Sequence, residues 1–169
     1  MIPAVHPTSG FLPLGAHFAT LADVHQRFVS DAPHEARRQQ IFDALVVYFD
    51  WLRALFPTGL ALVDGGFTTH KLDAPHDVDV VIFPDDPTHM STWTEQQFMD
   101  FQGLMTLQDV IVGGQDAAYF KRIQPLAGLL DGFIAAPERE QMWRRTWSSV
   151  RGAGDSFVPD QKGYLEVRW

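Results

Sequence analysis

The feature that most constrains the fold is a short apolar run at residues 78–83, Val-Asp-Val-Val-Ile-Phe. Its length and its β-branched side chains predict a strand that is buried on both faces. Such a strand needs elements packed above and below it, so the run predicts an α/β or α+β domain, with a small mixed β-sheet flanked by helices. The carboxylate of Asp79 is out of place inside this run, because an unpaired charge is costly to bury.

The rest of the chain supplies the other elements of such a domain. An apolar stripe at helical spacing predicts a helix over 34–56. Alternation over 164–169 predicts an edge or half-exposed strand. Three prolines indicate an irregular arm over 1–30 with one helical turn at 21–28, followed by a single domain over 31–169. The other predictions are strands at 60–63 and 129–134, a helix at 94–107 and a helix that begins at Pro137.

The composition excludes several classes of protein. The chain has 169 residues and no cysteine, which excludes a disulfide framework, a thiolate metal site and a cysteine nucleophile. No stretch approaches the roughly 18 consecutive apolar residues of a membrane span. A cytoplasmic protein without a membrane partner is therefore expected. The net charge of −8 argues against sequence-independent binding along a nucleic-acid backbone.

The negative charge is unevenly distributed. Six aspartates fall between residues 64 and 86, where Lys71 is the only lysine or arginine, whereas residues 121–169 carry eight basic and six acidic residues. The acidic stretch indicates a site that uses carboxylates. The basic side chains Lys121, Arg122, Arg144, Arg145 and Arg151 are candidates for contacts with a triphosphate or an RNA, or they form a solvated surface.

Two of these aspartates form the pattern Asp77-Val78-Asp79-Val80. On a strand, residues i and i+2 point to the same face, about 6.6 Å apart along the chain. Two carboxylates so placed can converge on a hard divalent cation, which prefers oxygen ligands. The alternative is that both aspartates cap the start of a strand at the protein surface.

A glycine pair precedes this pattern at a fixed distance. The run Leu62-Val63-Asp64-Gly65-Gly66 is followed, after ten residues, by Asp77-Val78-Asp79-Val80. This combination resembles the signature of the DNA polymerase beta-type nucleotidyltransferase superfamily. More narrowly, residues 11–84 are similar to a group of small bacterial nucleotidyltransferase-like proteins.

The resemblance implies a nucleotidyltransferase-like fold and a role for each motif. The turn at Gly65 and Gly66 would hold the triphosphate of a nucleotide. Asp77 and Asp79 would hold Mg²⁺ or Mn²⁺, and Asp131 would complete the metal site as the third catalytic acid from a neighbouring strand. Beside the glycines, Thr68 or Thr69 is a candidate donor to a phosphate and Lys71 is a candidate cation for it, or these are solvent-facing loop residues.

The reaction that these roles imply is transfer of a nucleoside monophosphate from a nucleoside triphosphate to a protein, a tRNA or a small molecule. Small members of the superfamily act in toxin–antitoxin or defence systems, so homo-oligomers and hetero-oligomers are both compatible with the resemblance. The alternative is a catalytically inactive binding protein, such as an antitoxin or a nucleotide sensor. Trp143 and Trp147, four residues apart, are either packing residues or a platform for a base.

Overall fold

A computed structural model describes residues 1–114, 117–151 and 156–169. The helices within these residues are α1 (Leu21–His25), α2 (Glu35–Leu55), α3 (Glu95–Gln102) and α4 (Glu140–Trp147). The strands are β1 (Gly15–Phe18), β2 (Gly59–Asp64), β3 (Val78–Pro84), β4 (Leu107–Val112), β5 (Ala118–Ile123), β6 (Leu130–Ile134), β7 (Val150–Arg151), β8 (Phe157–Val158) and β9 (Gly163–Arg168). The protein is therefore a mixed α+β structure.

The main sheet has five strands in the order β1-β9-β2-β3-β6. β2 is antiparallel to both of its neighbours, whereas β1 with β9 and β3 with β6 are parallel pairs. The prediction for residues 78–83 is confirmed, because β3 is an interior strand whose residues are buried at every position except the partly buried Asp79. The two remaining strand pairs, β4–β5 and β7–β8, form separate two-stranded sheets.

Each face of the main sheet contacts a different core. Val78, Val80 and Ile82 belong to the large cluster that also contains the apolar stripe of α2. Val81 and Phe83 belong to a smaller cluster that contains Trp147 of α4. Because side chains alternate along a strand, Asp79 lies on the same face as Val81 and Phe83. The carboxylate of Asp79 is therefore on the side of the sheet that α4 covers.

The prediction for α2 is confirmed to within a residue at each end. The predicted helix at 94–107 begins as expected, because Thr94 and Gln97 cap its first turn reciprocally. It ends five residues early, at Gln102, and Leu107 begins β4 instead. The sequence analysis missed the antiparallel pair of β4 and β5, whose strand residues are all exposed except one that is partly buried.

The prediction that residues 164–169 form an edge or half-exposed strand is wrong. β9 lies between β1 and β2, and its first five residues are buried. Two polar positions of its alternating pattern, Tyr164 and Glu166, face α4 rather than water, whereas the third, Arg168, is exposed. Glu166 forms an ion pair with Arg144, and Arg144 donates a hydrogen bond to the hydroxyl of Tyr164 at 3.2 Å.

Residues 1–30 are more regular than the predicted arm. β1 pairs with β9, and the predicted helical turn is present as α1 followed by a π-helical turn at Gln26–Ser30. Ile2 and Leu12 are buried in the large core. In the described part of the chain, no helix combines the length and the apolar character needed to cross a membrane.

Candidate active site

Three aspartates lie side by side on the face of the sheet that α4 covers. Asp64 at the end of β2 is in register with Asp79 on β3, and Asp79 is in register with Asp131 on β6. Residues in register on neighbouring strands point to the same face, with Cα atoms about 4.5–5.5 Å apart. The sheet therefore brings together two predicted acids, Asp79 and Asp131, and adds a third, Asp64.

These aspartates line a cleft of about 670 Å³, which is in the size range of small-molecule sites. Five of the seven predicted site residues line this cleft: Gly65, Gly66, Lys71, Asp79 and Asp131. Thr68 and Asp77 do not line it. Gln108 of β4 and Arg122 of β5 contribute to the wall, together with Arg151 and Lys162.

The turn after β2 requires glycine at one position. Gly65 has φ of 91° and ψ of −168°, a conformation that other residues rarely adopt. A Cβ atom there would lie 2.3 Å from Oδ2 of Asp79, whereas a Cβ atom at Gly66 would lie 3.7 Å from the nearest atom, Cβ of Pro75. Gly65 therefore lets the backbone turn pass directly beside the Asp79 carboxylate.

Thr68 does not face the cleft, in contrast to its predicted phosphate contact. Its side chain is buried, and its hydroxyl lies within hydrogen-bond distance of Oδ1 of Asp64 (3.1 Å) and of the carbonyl of Gly65 (3.2 Å), to which it donates. Thr69 lines the cleft instead, and its hydroxyl donates to the carbonyl of Gly66 at 2.8 Å. Both threonines hold the shape of the glycine turn.

Two neighbouring arginines of α2 hold the glycine turn and the segment before Asp77 in place. Arg38 is fully buried and donates to the carbonyls of Phe67 (2.7 Å) and Thr69 (2.6 Å) in the glycine turn. Arg37 donates to the carbonyls of residues 75 and 76, which directly precede Asp77. Burial lowers the pKa of Arg38 to about 10. Its place on the apolar stripe of α2 was a signal that sequence reasoning did not use.

Asp64 is neutralised by a residue that the sequence analysis did not single out. Both of its carboxylate oxygens accept hydrogen bonds from Nζ of Lys162, and both side chains are buried. Burial raises the pKa of Asp64, and the ammonium group of Lys162 opposes that rise. The two residues are 98 positions apart, so no local pattern pointed to the pair.

Asp79 is the carboxylate that lacks a partner. No hydrogen bond or ion pair reaches its side chain from the residues that the structure describes. Burial, together with the neighbouring carboxylates of Asp77, Asp64 and Asp131, raises its pKa to about 7, although the ammonium group of Lys162 opposes the rise. A nearby positive charge would offset both the burial of this carboxylate and its repulsion by the neighbouring carboxylates. The geometry and the raised pKa therefore both favour a cation at this position.

Asp77 and Asp131 share a guanidinium group. Oδ2 of Asp131 lies 2.5 Å from one terminal nitrogen of Arg122, and Oδ2 of Asp77 lies 3.7 Å from the other. Asp131 also accepts a hydrogen bond from Thr106 at 2.8 Å, and Asp77 accepts one from Gln124 at 2.7 Å. Arg122 is the only one of the basic candidates in residues 121–169 that pairs with a predicted catalytic acid in the described part of the chain.

Aromatic rings form the wall of the cleft on the side of α4. Trp143 is partly exposed and lies against Phe133, with ring centroids 5.3 Å apart. Trp147 is buried, and its indole nitrogen donates to the carbonyl of Leu62 at 3.2 Å. Both tryptophans line the cleft, but Trp147 is buried and anchors α4 on the sheet, whereas Trp143 is the more exposed of the two.

A comparison with protein families places the chain. A family model described as "Family of unknown function (DUF6932)" matches residues 3–168. The chain belongs to this family. No curated protein and no solved structure gives a match.

The donors of this DUF6932 member suit a cation that uses few protein ligands. Within residues 1–114, 117–151 and 156–169, no group of three or more histidine, aspartate or glutamate side chains is placed to hold a metal ion. Mg²⁺ commonly takes one or two carboxylates and completes its shell with water and substrate phosphates. The predicted set of Asp77, Asp79 and Asp131 is therefore not placed as a three-carboxylate metal site in the described part of the chain. Asp79 has no side-chain partner there and is in register with Asp131, whose two oxygens already accept hydrogen bonds from Thr106 and Arg122.

Proposed function

We propose that the protein is a metal-dependent nucleotidyltransferase. A nucleophilic group of an acceptor, such as a hydroxyl, would attack the α-phosphorus of a nucleoside triphosphate, the bond to pyrophosphate would break, and the proton of the attacking group would pass to solvent. The observation that carries the proposal is the unpartnered Asp79, beside the glycine turn and in register with Asp131. The resemblance of Gly65-Gly66 and Asp77-x-Asp79 to the DNA polymerase beta-type superfamily supports the same reaction.

The residues around the cleft would divide the binding of the nucleotide between them. The backbone at Gly65 and Gly66 has no side chain that would keep a triphosphate away. Lys71, whose Nζ lies 5.2 Å from the ring centroid of Phe11, also lines the cleft and would supply a cation for phosphate. Asp79 and Asp131 would hold Mg²⁺ or Mn²⁺, with Asp77 beside them, and the ion would offset negative charge on the phosphate oxygens.

The aromatic wall favours a nucleotide over a bare polyphosphate. Trp143 and Phe133 lie on the same cleft as the three aspartates. Every nucleobase has a π-face, and stacking of a base on an aromatic side chain contributes about 1–3 kcal/mol. Quenching of tryptophan fluorescence by a nucleoside triphosphate, but not by tripolyphosphate, would report this contact.

The direct test is label transfer. The protein is incubated with each α-labelled nucleoside triphosphate, Mg²⁺ or Mn²⁺ and a cell extract, and labelled protein, RNA and small molecules are separated. We expect a metal-dependent labelled product that Asp79→Asn abolishes. The matched control is Asp43→Asn, which changes an exposed carboxylate on α2 and should leave transfer unchanged. Undiminished transfer by the Asp77→Asn, Asp79→Asn double variant would refute the proposal.

A second function, a nucleotide sensor that does not transfer, is favoured by one observation. The guanidinium of Arg122 already pairs with Asp131 and Asp77, so these carboxylates have less capacity to hold the two ions that assist an in-line transfer. The same experiment separates the two functions. Metal-dependent binding of nucleotide with no labelled product supports the sensor, whereas a protein partner with no nucleotide binding supports a catalytically inactive interaction protein.

A further inference from the structure

Arg122 reaches the carboxylates from outside the main sheet. It lies on β5, opposite Gln108 of β4, and the residues of these two strands are almost all exposed. Its side chain is 46% exposed, whereas that of Asp131 is only 4% exposed. The ion pair therefore joins a fixed, buried carboxylate to a cation that is accessible to solvent.

The two partners of the pair differ in how firmly they are held. Thr106 donates to Oδ1 of Asp131 and also accepts a hydrogen bond from the backbone N–H of Gly132 at 3.0 Å. A Cβ atom at Gly132 would lie 2.2 Å from the carbonyl of Leu104, so β6 is tightly packed at this point. Asp131 is thus locked on both sides, and Arg122 is the partner that can move.

The position of this guanidinium bears on the binding of a metal ion. It neutralises Asp131 at 2.5 Å and approaches Asp77 at 3.7 Å, but no contact with Asp79 is present in the described structure. A divalent cation at Asp79 that also used Asp131 would have to displace a positive charge. Arginine, however, has an alternative partner whenever phosphate is present, because its planar fork binds phosphate oxygens in two-pronged pairs.

We propose that Arg122 is an exchangeable counter-ion that couples the binding of the cation to the binding of the nucleotide. Without ligand it neutralises Asp131 and Asp77. When the nucleotide binds, the guanidinium moves to the phosphate oxygens and leaves the carboxylates to the cation. This inference rests on the proposed function, since it takes a nucleoside triphosphate and a divalent cation as the ligands.

The proposal requires that the two ligands strengthen each other's binding. The cation alone must compete with Arg122, and the nucleotide alone must remove Arg122 from a buried carboxylate. Binding of both together avoids both costs, so each raises the affinity for the other by the same factor. Coupling of this kind is typically between about 5-fold and 150-fold.

The test measures Mn²⁺ binding rather than activity. Free Mn²⁺ is followed by electron paramagnetic resonance, with and without an α,β-methylene nucleoside triphosphate that cannot be transferred, and the Mn²⁺ that the analogue itself binds is measured without protein and subtracted. In the unchanged protein, we expect the analogue to raise Mn²⁺ affinity about tenfold or more. Arg122→Gln should bind Mn²⁺ more tightly than the unchanged protein in the absence of the analogue, and should show little further gain when the analogue is added.

Two variants control for charge and for folding. Lys121→Gln removes a neighbouring exposed cation that, in contrast to its predicted triphosphate contact, does not line the cleft and lies on the opposite face of β5, so it should bind like the unchanged protein. Arg122→Lys keeps the charge without the fork and should show intermediate coupling, which retains a test if Arg122→Gln does not fold. The thermal unfolding of each variant is recorded alongside.

The outcomes distinguish this inference from the function on which it rests. If Arg122→Gln and the unchanged protein bind Mn²⁺ equally and gain equally from the analogue, the role of Arg122 is overturned while the metal-dependent site stands. If no variant binds Mn²⁺ even with the analogue present, the proposed function fails and the inference fails with it.

Discussion

The protonation of Asp79 sets a pH dependence that can be measured without any ligand. Its pKa in the folded protein is about 7, against an ordinary value of 3.8. Between pH 4 and pH 7 the folded state therefore holds a proton that the unfolded state has released, so the free energy of unfolding falls as the pH rises. The full difference would correspond to about 4 kcal/mol, and partial exposure of the carboxylate reduces the expected effect to about 1–2 kcal/mol.

Asp79→Asn should remove the loss of stability that comes from deprotonating the buried carboxylate, because the amide has no charge to bury. We expect the variant to be more stable than the unchanged protein by about 1–2 kcal/mol at pH 8 and by little at pH 4.5, as measured by urea unfolding in the presence of a chelator. Asp43→Asn, on the exposed surface of α2, should show no such difference between the two pH values. A lower stability of Asp79→Asn at pH 8 would contradict the raised pKa. A more stable but inactive variant would identify Asp79 as a residue kept for function.

At the scale of elements, local periodicity predicted those parts of the fold whose surroundings are uniform. The stripe of α2 faces one apolar core, and β3 is covered on both sides, so each pattern leads directly to its structure. The alternating pattern of β9 gave the wrong prediction of an edge or half-exposed strand because Tyr164 and Glu166 face Arg144 of α4. Sequence spacing does not reveal such a distant partner. Strands β4 and β5 were missed because neither has a buried face, so their sequences show no alternation of apolar and polar residues that would predict a strand.

The candidate site was predictable to a similar extent and for similar reasons. Gly65, Gly66 and Asp79 follow one another in a short motif, and their proximity is local. The pairing of Asp64 with Lys162 and the placement of Arg122 depend on contacts between distant segments. The sequence could not choose between Thr68 and Thr69, because neighbouring residues in a tight turn point in different directions, and it is Thr69 that lines the cleft.

The glycine turn gives a prediction that separates two neighbouring glycines. Gly65→Ala should destabilise the protein by about 2–4 kcal/mol and displace Asp79, because the residue has positive φ and its Cβ would overlap a carboxylate oxygen. Gly66→Ala, whose Cβ meets nothing closer than 3.7 Å, should change stability by less than about 1 kcal/mol. Urea unfolding measures both changes. Equal losses of stability in the two variants would show that the absence of a side chain at Gly65 is not what makes room for the Asp79 carboxylate.

At the scale of the whole molecule, one face of the sheet supports the fold and the other carries the candidate site. The larger cluster under α2 contains most of the buried apolar residues, and the smaller cluster under α4 leaves room for the carboxylates. Arg38 connects the two sides, since it lies on α2 and holds the backbone of the glycine turn at the edge of the cleft. Stability and site geometry are therefore linked through a buried cation that pairs with carbonyl groups.

This link predicts unequal effects for the two neighbouring arginines of α2. Arg38→Met should cost about 3–5 kcal/mol, because the buried carbonyls of Phe67, Thr69 and Phe28 lose their donor. Arg38→Lys should recover only part of this stability, since one ammonium group cannot reach all of these carbonyls. Arg37→Met, at a partly exposed position, should cost only about 1 kcal/mol in unfolding experiments yet weaken Mn²⁺ binding, because it frees the segment before Asp77. If both methionine variants lose similar stability, the glycine turn does not depend on Arg38 in the way that its hydrogen bonds indicate.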